Sequence, residues 1–138
     1  MDTTEILKLC SDKTPKFSFK DKNFTAKIVK VHDGDTVHAV FIPFNDPANF
    51  VIRLEGIDTC EINSKNEDEK KNAINARNIL SELILNKIVT LKCGSFDKYG
   101  RLLAKIYIDD IDICEEMKKT KFTTEYDGGT KILFENRN

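Results

Sequence analysis

Phe24-Thr25-Ala26-Lys27-Ile28-Val29-Lys30-Val31-His32 and Thr36-Val37-His38-Ala39-Val40-Phe41-Ile42-Pro43-Phe44 flank the tripeptide Asp33-Gly34-Asp35. Both flanks are rich in Val, Ile, Phe and Thr, residues that suit a pleated, half-buried surface. The acidic, glycine-bearing tripeptide between them is a turn signal, so residues 24–32 and 36–44 predict a β-hairpin. Pro43, Asn45, Asp46 and Pro47 then mark a loop ahead of a third strand near residues 50–56. Asn66 followed by Glu67, Asp68 and Glu69 reads as a helix start, with its acids placed favourably on the helix dipole. Ala73, Ala76, Leu80, Leu83 and Ile84 give that helix one apolar face, ending near Asn86. Strands follow at about 87–93 and 101–109, joined by a polar loop from Ser95 to Gly100. A short amphipathic helix over roughly 112–120 leads into an irregular stretch from Glu125 to Lys131.

Three strands, a helix, two strands and a helix describe an α+β chain that is mainly β. Short strands with one interposed helix fit a five-stranded barrel of the oligonucleotide-binding (OB-fold) type with two or three helices better than an open parallel sheet. The barrel is expected over residues 23–138, preceded by an extension over 1–22. That extension holds a possible short helix over 3–10, capped by Thr3 or Thr4. Lys13, Lys16, Lys20, Lys22, Lys27 and Lys30 interleave with Phe17, Phe19 and Phe24. This stretch is either a basic and aromatic nucleic-acid surface or a strand entered through a loop, with lysines out and aromatics in.

The 138 residues suffice for one core, and the net charge of -1 speaks against a purely electrostatic DNA-binding module. It leaves open an enzyme that needs positive charge only at a phosphate. The four cysteines, Cys10, Cys60, Cys93 and Cys114, lack metal-ligand spacing, which argues against zinc and against a disulfide framework. Neither a signal peptide nor a membrane span is evident, so an intracellular protein, a monomer without membrane attachment, is expected.

The chemistry-bearing residues fall in three clusters. They are Asp33-Gly34-Asp35-Thr36, Arg53 through Glu61, and Asp97-Lys98-Tyr99-Gly100-Arg101. Each is ordinary alone: an Asp-Gly turn is most often just a turn, and a strand arginine most often faces water. Together they gather hard oxygen donors for a cation, guanidinium groups for a phosphate and a spare carboxylate to order water. Asp35 and Asp58, with the Thr59 carbonyl, are the candidate metal ligands, and Asp33 is a candidate for support behind them. Glu61 is the candidate general base. Arg53 lies inside an apolar strand and must point to solvent, to a partner or into a site, while Arg101 opens the next strand. Lys98, Tyr99 and Tyr126 are candidates for contacting a phosphate or stacking on a base.

Taken in order, these segments resemble the staphylococcal nuclease, or thermonuclease, family over about residues 24–120. The resemblance implies an OB-fold barrel and calcium-dependent hydrolysis of DNA and RNA with little sequence preference, leaving a 3′-phosphate. It implies calcium at Asp35, Asp58 and the Thr59 carbonyl, a general base at Glu61, and phosphate-binding arginines at Arg53 and Arg101. Lys98 and Tyr99 would then help hold a terminal phosphate. Cys60 stands where the family commonly has proline. A nuclease-like barrel that binds nucleic acid or protein without cleaving it is the competing reading. Such modules typically lose this residue set, whereas here it is complete.

Overall fold

The predicted hairpin organises the sheet. In the computed structural model, which describes residues 1–125, β1 (Asn23–Asp33) pairs antiparallel with β2 (Thr36–Phe41), and Asp33 stands opposite Thr36. Register shifts at Ile28/Lys30 and Val31/Asp33 bend β1, as bulges do. One strand therefore serves two neighbours: Lys27 to Asp33 pairs with β2, while Asn23 to Lys27 pairs with β5 (Ile88–Phe96). β3 (Ala48–Leu54) adds to β2 and β6 (Leu102–Ile108) adds to β5, both antiparallel. The barrel closes where β3 runs parallel to β6, with Arg53 beside Leu103. Alternate residues of each strand point inward, so Ile28, Val37, Ile52, Leu91, Leu102 and Ile106 are fully buried at its centre.

α1 is Thr3–Lys8, and the long helix that follows the barrel's first strands is α2, Glu67–Ile84. The Asn66 side chain caps α2 by accepting from the amides of Asp68 and Glu69, which satisfies two donors that a helix start leaves open. Its buried face is Ala73, Ala76, Leu80 and Ile84, with Leu83 half-buried beside it. At its exit Asn86 adopts a left-handed φ of 63°, and its amide donates to the Ile28 carbonyl, tying the helix end to β1. α3 (Ile113–Lys118) is capped by Asp112 and buries Ile113, Cys114 and Met117.

Three short strands add to the sequence reading. β4 (Ile57–Thr59) pairs with β8 (Thr123–Glu125), and β7 (Ile111–Asp112) turns back on β6. α1 is capped by Asp2 rather than by Thr3 or Thr4 and buries no residue. The lysine-and-phenylalanine stretch divides: Phe19 is fully buried, Phe24 half-buried, and Phe17 and the lysines exposed. Phe19 meets the rings of Phe17, Phe24, Phe41, Phe44, Phe50 and Phe96 at centroid distances of 4.7 to 6.4 Å. A residue ahead of β1 thus plugs one end of the barrel. Among the described residues no helix is long and apolar enough to cross a membrane.

Phe19→Ala should lower the unfolding free energy by about 3–5 kcal/mol, as large-to-small changes at buried aromatics do. An unshifted urea midpoint would show that the segment before β1 adds nothing to the core.

Candidate active site

The turn between β1 and β2 carries Asp33, Gly34 and Asp35 into the end of the barrel opposite the phenylalanine cluster. Backbone pairing sets the next residues beside it: Thr36 faces Arg53 across β2 and β3, and the Leu54 amide donates to the Asp35 carbonyl at 2.9 Å. Gly56, with φ of 80°, reverses the chain between β3 and β4, a conformation that favours glycine. β4 then runs back past the turn, bringing Asp58 and Thr59 alongside. The Thr124 hydroxyl of β8 donates to the Asp58 carbonyl at 3.4 Å, so a segment 66 residues downstream helps hold β4.

The side chains interlock. Asp35 accepts from the Thr36 hydroxyl through Oδ1 at 2.9 Å, and through Oδ2 from the Thr59 amide at 3.0 Å and its hydroxyl at 3.2 Å. Arg53 Nη1 donates to the carbonyls of Leu54 and Ile57, both at 2.9 Å. Its Nη2 donates to Asp58 Oδ1 at 3.1 Å and lies 3.6 Å from Asp35 Oδ2. The Asp35 amide donates to Asp33 Oδ1 at 3.1 Å. Asp33, Asp35, Arg53, Asp58 and Thr59 are all buried. Of the three directions open to Arg53, it takes the one into the site.

Among the described residues, three buried carboxylates, those of Asp33, Asp35 and Asp58, lie around the buried Arg53 guanidinium. Burial, reinforced by the hydrogen bond and negative charge of Asp35, pushes the Asp33 carboxyl well above the usual range. Burial acts the same way on Asp35, yet the hydrogen bond from Asp33, the charge of Arg53 and the bonds from Asp58 and Thr36 outweigh it and hold Asp35 low.

Glu61 is exposed, and its charge adds to the upward push on Asp33, which places it beside the carboxylates rather than among them. The backbone that carries it is fixed on both sides. Cys60 is buried against Ala73 of α2, the Ser64 amide donates to the Glu61 carbonyl, and the Ser64 hydroxyl donates to Glu69 at 2.7 Å.

The remaining candidates gather on the turn between β5 and β6. Asp97 Oδ1 accepts from the amides of Tyr99 and Arg101, and Oδ2 accepts from Arg101 Nε at 2.7 Å. Those bonds and the Arg101 charge outweigh partial burial and lower the Asp97 pKa. Lys98 Nζ lies 5.2 Å from the centre of the exposed Tyr99 ring, and the Arg101 guanidinium carbon 5.3 Å. Because Leu103 pairs with Arg53, Arg101 lies two residues upstream on the same side of the sheet, about 7 Å along the strand. Tyr126 lies outside the described residues.

The sequence profile of the staphylococcal nuclease homologue family matches residues 51–128, more than half of the chain. The chain belongs to the staphylococcal nuclease homologue family. The match in this nuclease-like protein takes in Arg53, Asp58, Thr59, Glu61, Lys98, Tyr99, Arg101 and Tyr126, while the Asp33–Thr36 turn precedes it. Among curated proteins, the chain is 30% identical over 135 residues to an uncharacterized protein of Methanocaldococcus jannaschii, an alignment covering 79% of this chain and 63% of the relative. It is 26% identical over 147 residues to a probable endonuclease of Komagataella phaffii, covering 89% of this chain and 61% of the relative. The chain thus spans about three fifths of the length of each of these family relatives.

Three details of the site escaped the sequence reading. The hydroxyl contacts of Thr36 with Asp35 and of Thr124 with Asp58 gave no separate signal. The third is the close approach at Gly34, where an added Cβ would lie 2.7 Å from both Ala76 Cβ and Thr59 Cγ2. Glycine is required there by lack of room, and the small residues of α2 are what let the helix press on the turn. Gly34→Ala should destabilise the protein by about 1–3 kcal/mol, the usual cost of overpacking. A wild-type unfolding midpoint in that variant would mean that α2 does not bear on the turn.

Proposed function

We propose that this chain is a calcium-dependent nuclease that hydrolyses phosphodiester bonds of DNA or RNA with little sequence preference. The observation that carries this reading is the convergence of Asp35 from the β1–β2 turn, Arg53 from β3, and Asp58 and Thr59 from β4 into one buried, oxygen-rich cluster. Among the described residues no group of three or more acids, histidines or cysteines forms a ready-made metal cage. The donor set nevertheless fits a hard cation: two carboxylates and a backbone carbonyl are the oxygen ligands such ions take, with water and substrate oxygens completing the shell. Asp35, Asp58 and the Thr59 carbonyl would hold the cation, and Asp33 would support Asp35 from behind.

When bound, calcium would supply charge stabilisation at a phosphate oxygen. The chain's own residues would do the rest. Glu61, exposed beside the cluster on an anchored turn, would order a water and take its proton as the oxygen attacks phosphorus and the P–O bond to the leaving group breaks. Arg53 and Arg101, on one side of the sheet, would take up the charge that develops on the equatorial oxygens. Lys98 and Tyr99 would steady the adjoining phosphate from the β5–β6 turn, with Tyr126 as a further stacking face.

Single-stranded DNA should be degraded with added calcium and left intact with a chelator. Glu61→Gln should lower the rate about 10²–10⁴-fold without loss of fold. Full activity in Glu61→Gln would remove that residue from the mechanism. Folded protein that binds the strand but cleaves it in no metal would leave the non-cleaving module as the better description.

Calcium at about a hundredfold excess over its Kd should also raise the unfolding free energy by about 2.7 kcal/mol. Asp58→Asn should abolish that gain, a readout independent of turnover. The same calcium response in wild type and Asp58→Asn would place the ion elsewhere.

A further inference from the structure

The aromatic and basic stretch before β1 plays no part in the site described above. Phe19 is consumed by the core, but Phe17 is 60% exposed, and Phe44 in the β2–β3 loop is 72% exposed. Their rings are neighbours, 5.9 Å apart at 55°. Both lean on Phe19, Phe17 edge-on at 4.7 Å and Phe44 at 6.4 Å, so the pair stands on a packed aromatic floor. Ile42, also exposed, extends the patch. Two adjacent exposed rings held in place by a buried third are unusual on a surface that has no partner.

Charge accompanies them. Residues 12–24 hold four exposed lysines, Lys13, Lys16, Lys20 and Lys22, against two aspartates, Asp12 and Asp21. Asp46 is the single acid of the β2–β3 loop. From the patch, the outer faces of β1 and β2 lead to the carboxylate turn with Lys27, Lys30, His32 and His38 along the way. Burial and the positive charges of Lys30 and His32 lower the His38 pKa, so these groups face one another. In β1, β2 and β3 the only acid is Asp33, at the turn itself. The outer faces of these strands thus carry no acid of their own between the aromatic patch and the Asp33 turn.

We propose that this strip is a second contact area for the substrate: a single-stranded polynucleotide stacks bases on Phe17 and Phe44 and lays its phosphates along Lys27, Lys30 and His32 toward the Asp33–Asp35 turn. The inference rests on the nuclease reading and extends it to how a long strand is held. Exposed rings next to cations are what sequence-tolerant strand binding uses. Five residue rises of β2 separate Phe41 from Thr36, about 17 Å, so an oligonucleotide too short to span that distance cannot use both ends.

Fluorescence anisotropy in chelator, where no strand is cut, tests this with a labelled DNA of about 16 nucleotides, within the range one such barrel covers, and with a dinucleotide. Wild type should bind the long strand at least about tenfold more tightly, and Phe17→Ser combined with Phe44→Ser should erase most of that difference. Lys27→Gln combined with Lys30→Gln should weaken long-strand binding and reduce its salt slope by about 1–2. Neither pair should alter calcium-dependent cleavage of the dinucleotide. If wild type cleaves but both pairs keep wild-type affinity and salt slope, the strip is not a strand contact, while the nuclease reading stands. If wild type neither binds nor cleaves any strand, the nuclease reading fails and takes the inference with it. Loss of binding to anionic lipid vesicles in these variants, with strand affinity intact, would overturn the inference in favour of a lipid surface.

Discussion

The arrangement depends on Arg53. Its guanidinium is buried at the point where β3 leaves the barrel, and it binds across two carbonyls and two carboxylates that belong to different segments. Burying these charges singly would cost several kcal/mol each, and only a pairing this complete makes their burial tolerable. The same contacts fix geometry. Holding the Ile57 carbonyl and Asp58 sets the path of β4, and β4 in turn delivers the Thr59 amide and hydroxyl to Asp35. The parallel β3–β6 pairing that closes the barrel sets Arg53 beside Leu103. Fold and candidate site are one problem here, solved by the same side chain.

What was legible in the sequence had local causes. The hairpin showed through alternation and its turn, and α2 through Asn66, three acids and a spaced apolar face; both stand in the structure. The short strands β4, β7 and β8 have two or three residues each, too few for a period to show, and their partners lie far along the chain. Phe19 lies in a segment without regular structure, and only the gathering of six other rings makes it a core residue. Arg53 was ambiguous for a related reason. An arginine in an apolar strand is decided by what the opposite segment offers, and the carboxylates that decide it are 18 residues earlier and five residues later.

Small residues do as much as charged ones to build the site end. Gly34, Ala73 and Ala76 let α2 approach the turn and the Cys60 segment closely, and a side chain at Gly34 would meet Ala76 and Thr59 at 2.7 Å. Cys60 is explained in the same way. Buried beside Ala73 on the helix face, it acts as a compact apolar plug where the family commonly has proline, and it anchors the turn that carries Glu61 by packing instead of by ring rigidity.

The two arginines stand in different electrostatic surroundings, and this bears on what each contributes. Arg53 is buried and committed to carboxylates and carbonyls, so its field is little screened by water but is offset by Asp35 and Asp58. Arg101 is about one third exposed and is steered by Asp97, whose carboxylate also fastens the turn through two backbone amides. Its charge is partly balanced by Asp97 and partly screened by water and salt. On the proposed reading, Arg101 would meet a phosphate that arrives from solvent. Arg53 is suited to fixing the electrostatics of the floor on which the phosphate would come to rest.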